Sequence, residues 1–208
     1  MVNSTNTVKR LVGIIADEMI SAKDELTAID NRLGDGDMGL SMEKGALALK
    51  RVCESDHPNN AILLAAAAAA LNRAAPSTMG TLISYGIQEI SQSLRDKTEL
   101  SQADIASIPA MFAQSIAKRG KAKEGDKTIL DALLPYAREF EKSYMTTGDL
   151  KAALKTAAES ARIGMERTKG MVAKIGRAKW LADRNKDCPD GGAVLCSRIA
   201  DCLVRNFL

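Results

Sequence analysis

Apolar residues recur every three or four positions along almost the whole chain, and no stretch alternates as a strand would. A first helix is expected over about 7–29, with Val8, Leu11, Val12, Ile15 and Met19 on one face. A turn of Asp and Gly follows, then a second helix over about 39–52. Asn59 or Asn60 can cap a third, which should end near Ala74 ahead of Pro76. A fourth begins near Met79 and carries Leu82, Ile83, Tyr85, Ile87 and Ile90. Ser101-Gln102-Ala103-Asp104 has the spacing of a capping box, with Asp for the usual Glu or Gln. A fifth helix runs from there to about Lys118, with a kink expected at Pro109. Asp126 is placed to cap a sixth, which holds Leu130, Leu133, Leu134 and Tyr136. Thr147 or Asp149 opens a seventh reaching about Thr168, and a last helix covers about 192–207. About eight amphipathic helices on short loops predict an all-α bundle or barrel. No internal repeat is present and no Pro-, Gly- or Ser-rich linker divides the chain, so residues 1–208 are expected to form one domain.

Composition narrows this. Hydrophobic residues make up 46% of the chain but aromatics only 3%, so the core must be built from Ala, Leu, Ile, Val and Met. So few rings leave no platform for base stacking. The net charge is +3 with acids and bases interspersed, and no basic run suggests nucleic acid as a partner. Cys53, Cys188, Cys196 and Cys202 form no CxxC pair, and the chain starts without a secretory apolar region. Free thiols in a cytoplasmic protein are expected. The Ala-rich run 61–71 is too short to cross a membrane and is expected to be a buried helix.

Four loops could carry chemistry. In Asp30-Asn31-Arg32-Leu33-Gly34-Asp35-Gly36-Asp37-Met38-Gly39, three carboxylates share a tight glycine-punctuated turn. Local capping is one reading of that turn. Three like charges so close are unfavourable without a cation, and oxygen-only ligands suit Mg²⁺. Glycines at the start of the next helix leave N–H groups for a phosphate-sized anion, and the pair points to a nucleotide site. The second loop, Ala74-Ala75-Pro76-Ser77-Thr78-Met79-Gly80, puts small and hydroxyl residues before a helix. The third, Arg119-Gly120-Lys121-Ala122-Lys123-Glu124-Gly125-Asp126-Lys127-Thr128, holds cations and glycines. The fourth joins Gly176-Arg177-Ala178 to Asp190-Gly191-Gly192-Ala193, where Arg177 could pair with a phosphate and Asp190 could cap the last helix. Trp180 is expected to pack rather than stack on a cofactor, and His57 to sit in an exposed turn without a catalytic role.

These loops, in this order, resemble the nucleotide-binding L subunit of dihydroxyacetone kinases over nearly the whole length. The matching segments are Leu33-Gly34-Asp35-Gly36-Asp37-x-Gly39, Arg119-Gly120-Lys121-Ala122 with Gly125-Asp126-Lys127-Thr128-x-x-Asp131, Gly176-Arg177-Ala178, and Asp190-x-Gly192-Ala193. The resemblance implies a barrel of eight antiparallel helices with the nucleotide at one rim. It implies that Asp30, Asp35 and Asp37 hold two Mg²⁺ ions bridging the phosphates of ATP or ADP. Met38, Gly39, Leu40 and Ser41 would approach the phosphates, with Ala74, Ala75, Ser77 and Thr78 in the second loop. Gly120 and Ile129 would line the nucleotide pocket, and Arg177 with Asp190, Gly191 and Gly192 would close over it.

The implied activity is phosphoryl transfer to a hydroxyl of a small ketose, as in glycerol metabolism, with Arg177 adding positive charge in the transition state. Family members hold the sugar on a separate K subunit or domain, and 208 residues leave no room for one, so a K-type partner is expected. The donor is ATP, or a retained ADP rephosphorylated by a phosphotransferase-system protein. A homodimer is compatible with all of this. Three departures from the family pattern stand out: Met38 where His is usual, Ser41 where Asn is usual, and Asn72-Arg73-Ala74-Ala75-Pro76-Ser77-Thr78 for a Gly-Gly-x-Ser-Gly-Pro-Leu loop. They leave two rivals, a regulatory or scaffold subunit that binds nucleotide without catalysis, and a kinase for another acceptor such as a tetrose or a fatty acyl group.

Overall fold

The computed structural model describes residues 5–97, 99–176, 178–180 and 186–207. Among them are nine α-helices and no strand: α1 (Thr5–Ser21), α2 (Lys23–Leu33), α3 (Met38–Glu54), α4 (Asn60–Ala74), α5 (Thr78–Ser93), α6 (Gln102–Gly120), α7 (Leu130–Thr147), α8 (Leu150–Arg167) and α9 (Gly191–Phe207). The single first helix expected from the sequence is α1 and α2 together. Ala22 N–H donates to the Glu18 carbonyl and Leu26 N–H to the Ala22 carbonyl, both at 2.9 Å, so the ladder runs through a flex at Ala22. The second arm continues to Leu33, which puts Asp30 on the last turn of a helix rather than in the loop.

Most caps follow the local sequence. The Asn59 side chain accepts from Ile62 N–H, Asp149 accepts from Lys151 N–H, and the Ser101–Asp104 box makes both reciprocal bonds. Pro109 lies inside α6, which continues past it over 19 residues. Asp126 does not cap α7. Its carboxylate instead accepts from Lys123 N–H at 2.9 Å and pairs with Lys174 at 3.6 Å. Ile129 stands at the N-cap of α7 without a side-chain cap bond, and Thr128 and Asp131 brace the turn around it. Asp131 accepts from Thr128 N–H at 2.8 Å, and the Thr128 hydroxyl accepts from Leu130 N–H at 3.2 Å.

Each helix packs on the next around a ring: α1 on α3, α3 on α4, and so on to α8 on α9, and α9 returns to α1 and α2. Ion pairs bind that last seam. Arg198 of α9 donates to Glu18 at 2.8 Å and Glu25 at 2.6 Å, and Arg205 to Glu18 at 3.0 Å. Glu18 is buried, so it needs both guanidinium groups.

Inside the ring one cluster joins α1 to α5 with α9 around Met19, Leu26, Met42, Leu71 and Leu195. A second joins α6 to α9 around Ile116, Leu130, Phe140 and Leu154. Aliphatic residues dominate both, as the composition requires. Five of the few aromatics, Tyr136, Phe140, Tyr144, Phe112 and Phe207, sit in or against the second cluster. The Ala-rich helix α4 is less buried than expected: Leu63, Ala67 and Leu71 face the core, but Ile62 is 47% exposed on the outside. No helix among the described residues is long and apolar enough to cross a membrane. All four cysteines are free thiols.

Up-and-down order has one consequence for chemistry. With α1 and α2 as a single stave, the loops at 34–37, 75–77 and 121–129 and the described stems 168–171 and 186–190 all fall at the same end of the barrel. The connections at 55–59, 94–101 and 148–149 fall at the other, and His57 with them.

Candidate functional site

Three of the four loops converge on the first two residues of α9. A Cβ on Gly191 would lie 2.8 Å from the Met38 sulfur. One on Gly192 would lie 2.6 Å from the Met79 methyl and 2.9 Å from Ile129 Cβ. Only bare backbone lets the Asp loop, the start of α5 and the start of α7 meet there.

The Asp loop is shaped by its glycines. Gly36 has φ +77°, a left-handed conformation, and a side chain there would also strike the Asn31 amide. At Gly34 a side chain would strike the Asp30 carboxylate. Asp30 Oδ2 accepts the N–H of Met38 at 3.1 Å, so the last turn of α2 caps the first turn of α3. Asp37 stands at the N-cap of α3 and makes no side-chain cap bond. Its carbonyl accepts from Ser41 N–H at 2.9 Å. With Met38 and Ser41 so engaged, the remaining first-turn donors are the N–H groups of Gly39 and Leu40. One oxygen each of Asp30, Asp35 and Asp37 lies within 4.8 Å of the others, with Asp35 and Asp37 exposed. An all-oxygen set this compact, next to unspent helix N–H groups, fits a hard divalent cation beside an anion.

Gly39 itself is buried, and the space of its missing side chain is filled by the Lys23 carbonyl and the Thr27 hydroxyl of α2. Its lack of a Cβ therefore serves helix packing, and only its N–H is available to a ligand. Leu40 is 43% exposed and Ser41 half-buried.

In the second loop the Ser77 hydroxyl accepts from Gly80 N–H at 3.1 Å and so caps α5. Ala75 is wholly buried, while Ala74 and Thr78 flank it at the ends of α4 and α5. Gly120 ends α6, facing the Leu82 side chain, and Ile129 is buried beneath Gly192. Arg177 lies outside the described residues. Trp180, expected to pack, is 84% exposed.

Asp190 caps α9 as expected, accepting from Ala193 N–H at 2.8 Å, and its own N–H donates to the Thr168 hydroxyl at 2.9 Å. Burial pushes its carboxyl up from the ordinary 3.8 to about 7; the nearby Asp131 adds to this, and the α9 N–H groups and Lys127 oppose it. The folded chain therefore holds a proton that the unfolded chain releases between about pH 4 and 7. That favours the folded state at low pH, and the advantage is lost as pH rises through 7. Asp190→Asn keeps a cap acceptor without the charge. In chemical denaturation without ligand, the variant should be more stable than the native chain at pH 8 by a few kcal/mol, and the gap should close towards pH 4. A variant less stable at every pH would show that Asp190 is held as a carboxylate.

Lys127 and Asp131, both in the matching segment that ends at Asp131 but given no role there, and Thr168 also shape the site. The buried Asp131 carboxylate also accepts from Gly125 N–H at 2.6 Å, and so shapes the third loop. Its signal was present in the sequence: Thr128-x-x-Asp131 has the same spacing as Ser101-x-x-Asp104. Thr168 carried no local signal, since its partner is 22 positions away.

A family model described as DAK2 domain matches residues 32–205. The chain is 32% identical over 203 residues to a D-erythrulose kinase of Mycolicibacterium smegmatis, covering 94% of this chain and 35% of that protein. It is 31% identical over 209 residues to an L-erythrulose kinase of Pectobacterium atrosepticum, covering 96% and 35%. The dihydroxyacetone kinase from C. freundii, in complex with AMP-PNP and Mg²⁺, superposes with a TM-score of 0.74 at 22% identity, over 98% of this chain and 34% of that one. The chain thus spans about a third of the length of these relatives.

Proposed function

The chain belongs to the DAK2 domain family, and from that premise we propose that it is the Mg–nucleotide-binding part of a small-ketose kinase. One observation carries the reading: Asp30, Asp35 and Asp37 converge within 4.8 Å, and Asp37 is not spent on capping the helix it precedes. The C. freundii relative's AMP-PNP and Mg²⁺ supply the matching ligand chemistry.

The three aspartates would hold Mg²⁺, two ions in our reading. Bound Mg²⁺ neutralises charge on the phosphate oxygens during transfer. The chain's own residues position the donor. Gly39 and Leu40 N–H groups face the phosphates, with Ser41 and the second loop beside them. Met38, Gly120, Ile129 and Gly191-Gly192 wall the nucleotide, and Arg177 adds a cation to the moving charge. The acceptor ketose is held elsewhere, on a K-type domain or subunit. The two erythrulose kinases among the relatives favour a tetrulose beside dihydroxyacetone.

Calorimetry of ATP and ADP with and without Mg²⁺, followed by turnover with a K-type subunit carrying either sugar, tests this. Binding that requires Mg²⁺ and transfer to one of the ketoses are the expected results. Absence of nucleotide binding by the native chain would refute the reading. Binding without transfer to any ketose would favour the regulatory subunit, which Met38 in place of the usual His and the altered loop at Ala75-Pro76 also motivate.

A further inference from the structure

Lys127 departs from what its sequence position predicts. A lysine in a charged loop should be solvated, yet Lys127 is 3% exposed, with φ +59°. That backbone conformation is unfavourable for a residue with a side chain, and the surroundings must impose it. Its ammonium donates to the Met171 carbonyl at 3.1 Å and to the Cys188 carbonyl at 2.8 Å. Met171 lies just after α8 and Cys188 just before α9. The lysine on the third loop therefore grips both stems of the fourth. Gly170 N–H donates to the Lys186 carbonyl at 2.5 Å, joining the same stems. Burial draws its pKa down, and among the described residues the acids Asp190 and Asp187 oppose this.

A desolvated cation is a poor source of stability compared with apolar packing, but a good one of register, because its bonds are directional. What it registers is the start of α9, where Gly191 and Gly192 meet Met38, Met79 and Ile129. We propose that Lys127 is a positioning residue which, from beneath the rim and without touching the nucleotide, fixes the α9 N-terminus and so sets how long the nucleotide stays bound. This rests on the nucleotide reading above.

The native chain is first titrated with a fluorescent ADP analogue and Mg²⁺. No binding there would end the nucleotide reading before any variant is made. Release of the analogue is then timed in full-length Lys127→Met and Lys127→Arg. Release from Lys127→Met should be about tenfold faster, the scale of one charged hydrogen bond, and Lys127→Arg should recover most of the native rate. In the free protein, amide exchange of Lys127→Met should quicken at 170–173 and 188–194 while α6 keeps its protection. Leu154→Ala, a buried cavity variant in α8 remote from the rim, controls for lost stability and should release at the native rate. Native-rate release from Lys127→Met, unaltered exchange at both stems, or equally fast release from Leu154→Ala would overturn the proposal.

Discussion

Asp37→Ala is expected to weaken Mg²⁺-dependent nucleotide binding by on the order of 100-fold, roughly 2.7 kcal/mol, with almost no change in the stability of the free protein. Two readings of this residue predict opposite results. Were Asp37 a helix cap, its loss would lower stability by about 1 kcal/mol and leave ligand binding intact. Its side chain makes no cap bond, and Asp30 from the preceding helix takes the Met38 N–H instead. Removing an exposed carboxylate that crowds two others relieves repulsion in the free chain. Only with the cation present does that carboxylate become favourable. Thermal melts with and without Mg²⁺-ADP, beside calorimetry, separate the cases. A melt lowered equally in both conditions, with native affinity, would return Asp37 to a capping role.

Gly39→Ala should be the more damaging change to the fold. The added methyl would meet the Lys23 carbonyl and the Thr27 hydroxyl, and one of these is backbone that cannot rotate away. Overpacking of this kind is unfavourable by about 1–3 kcal/mol, a fall of roughly 2–12 °C in melting temperature for a domain of this size. Relief requires α2 and α3 to part. Asp30 rides on α2 and Asp37 on the turn into α3, so the same movement spreads the carboxylates. Stability and Mg²⁺-nucleotide affinity should therefore fall together. An alanine variant with a native melt and impaired binding would instead mean that the glycine is needed for close approach of a phosphate.

The helices were legible because each carries its own instructions. The 3.6-residue apolar period, Asn59 before α4, the Ser101–Asp104 box and Asp149 before α8 act within one turn of chain. Errors arose where two local signals competed or a distant partner decided. Asp126 was placed to cap α7, but its carboxylate turns to Lys123 N–H, and Asp131 takes the Thr128 N–H ahead of the helix. Asp30 reads as part of a loop in the sequence, but α2 runs to Leu33 and carries it on its last turn. Trp180 was expected to pack because most tryptophans do, and it is exposed.

From the sequence alone follow the all-helical class, most helix boundaries, the aliphatic core and the crowding of three aspartates on one turn. Those properties depend on period, cap chemistry and charge spacing, which act between residues close in the chain. The tertiary structure alone decided that Gly39 faces a carbonyl of α2, that Gly191 and Gly192 receive Met38, Met79 and Ile129, and that a lysine is buried among carbonyls 44 and 61 positions away. Contacts of that kind arise when the staves close into a ring, and no local pattern encodes which loop will face which. The rim is where those long-range contacts and the locally readable carboxylates come together.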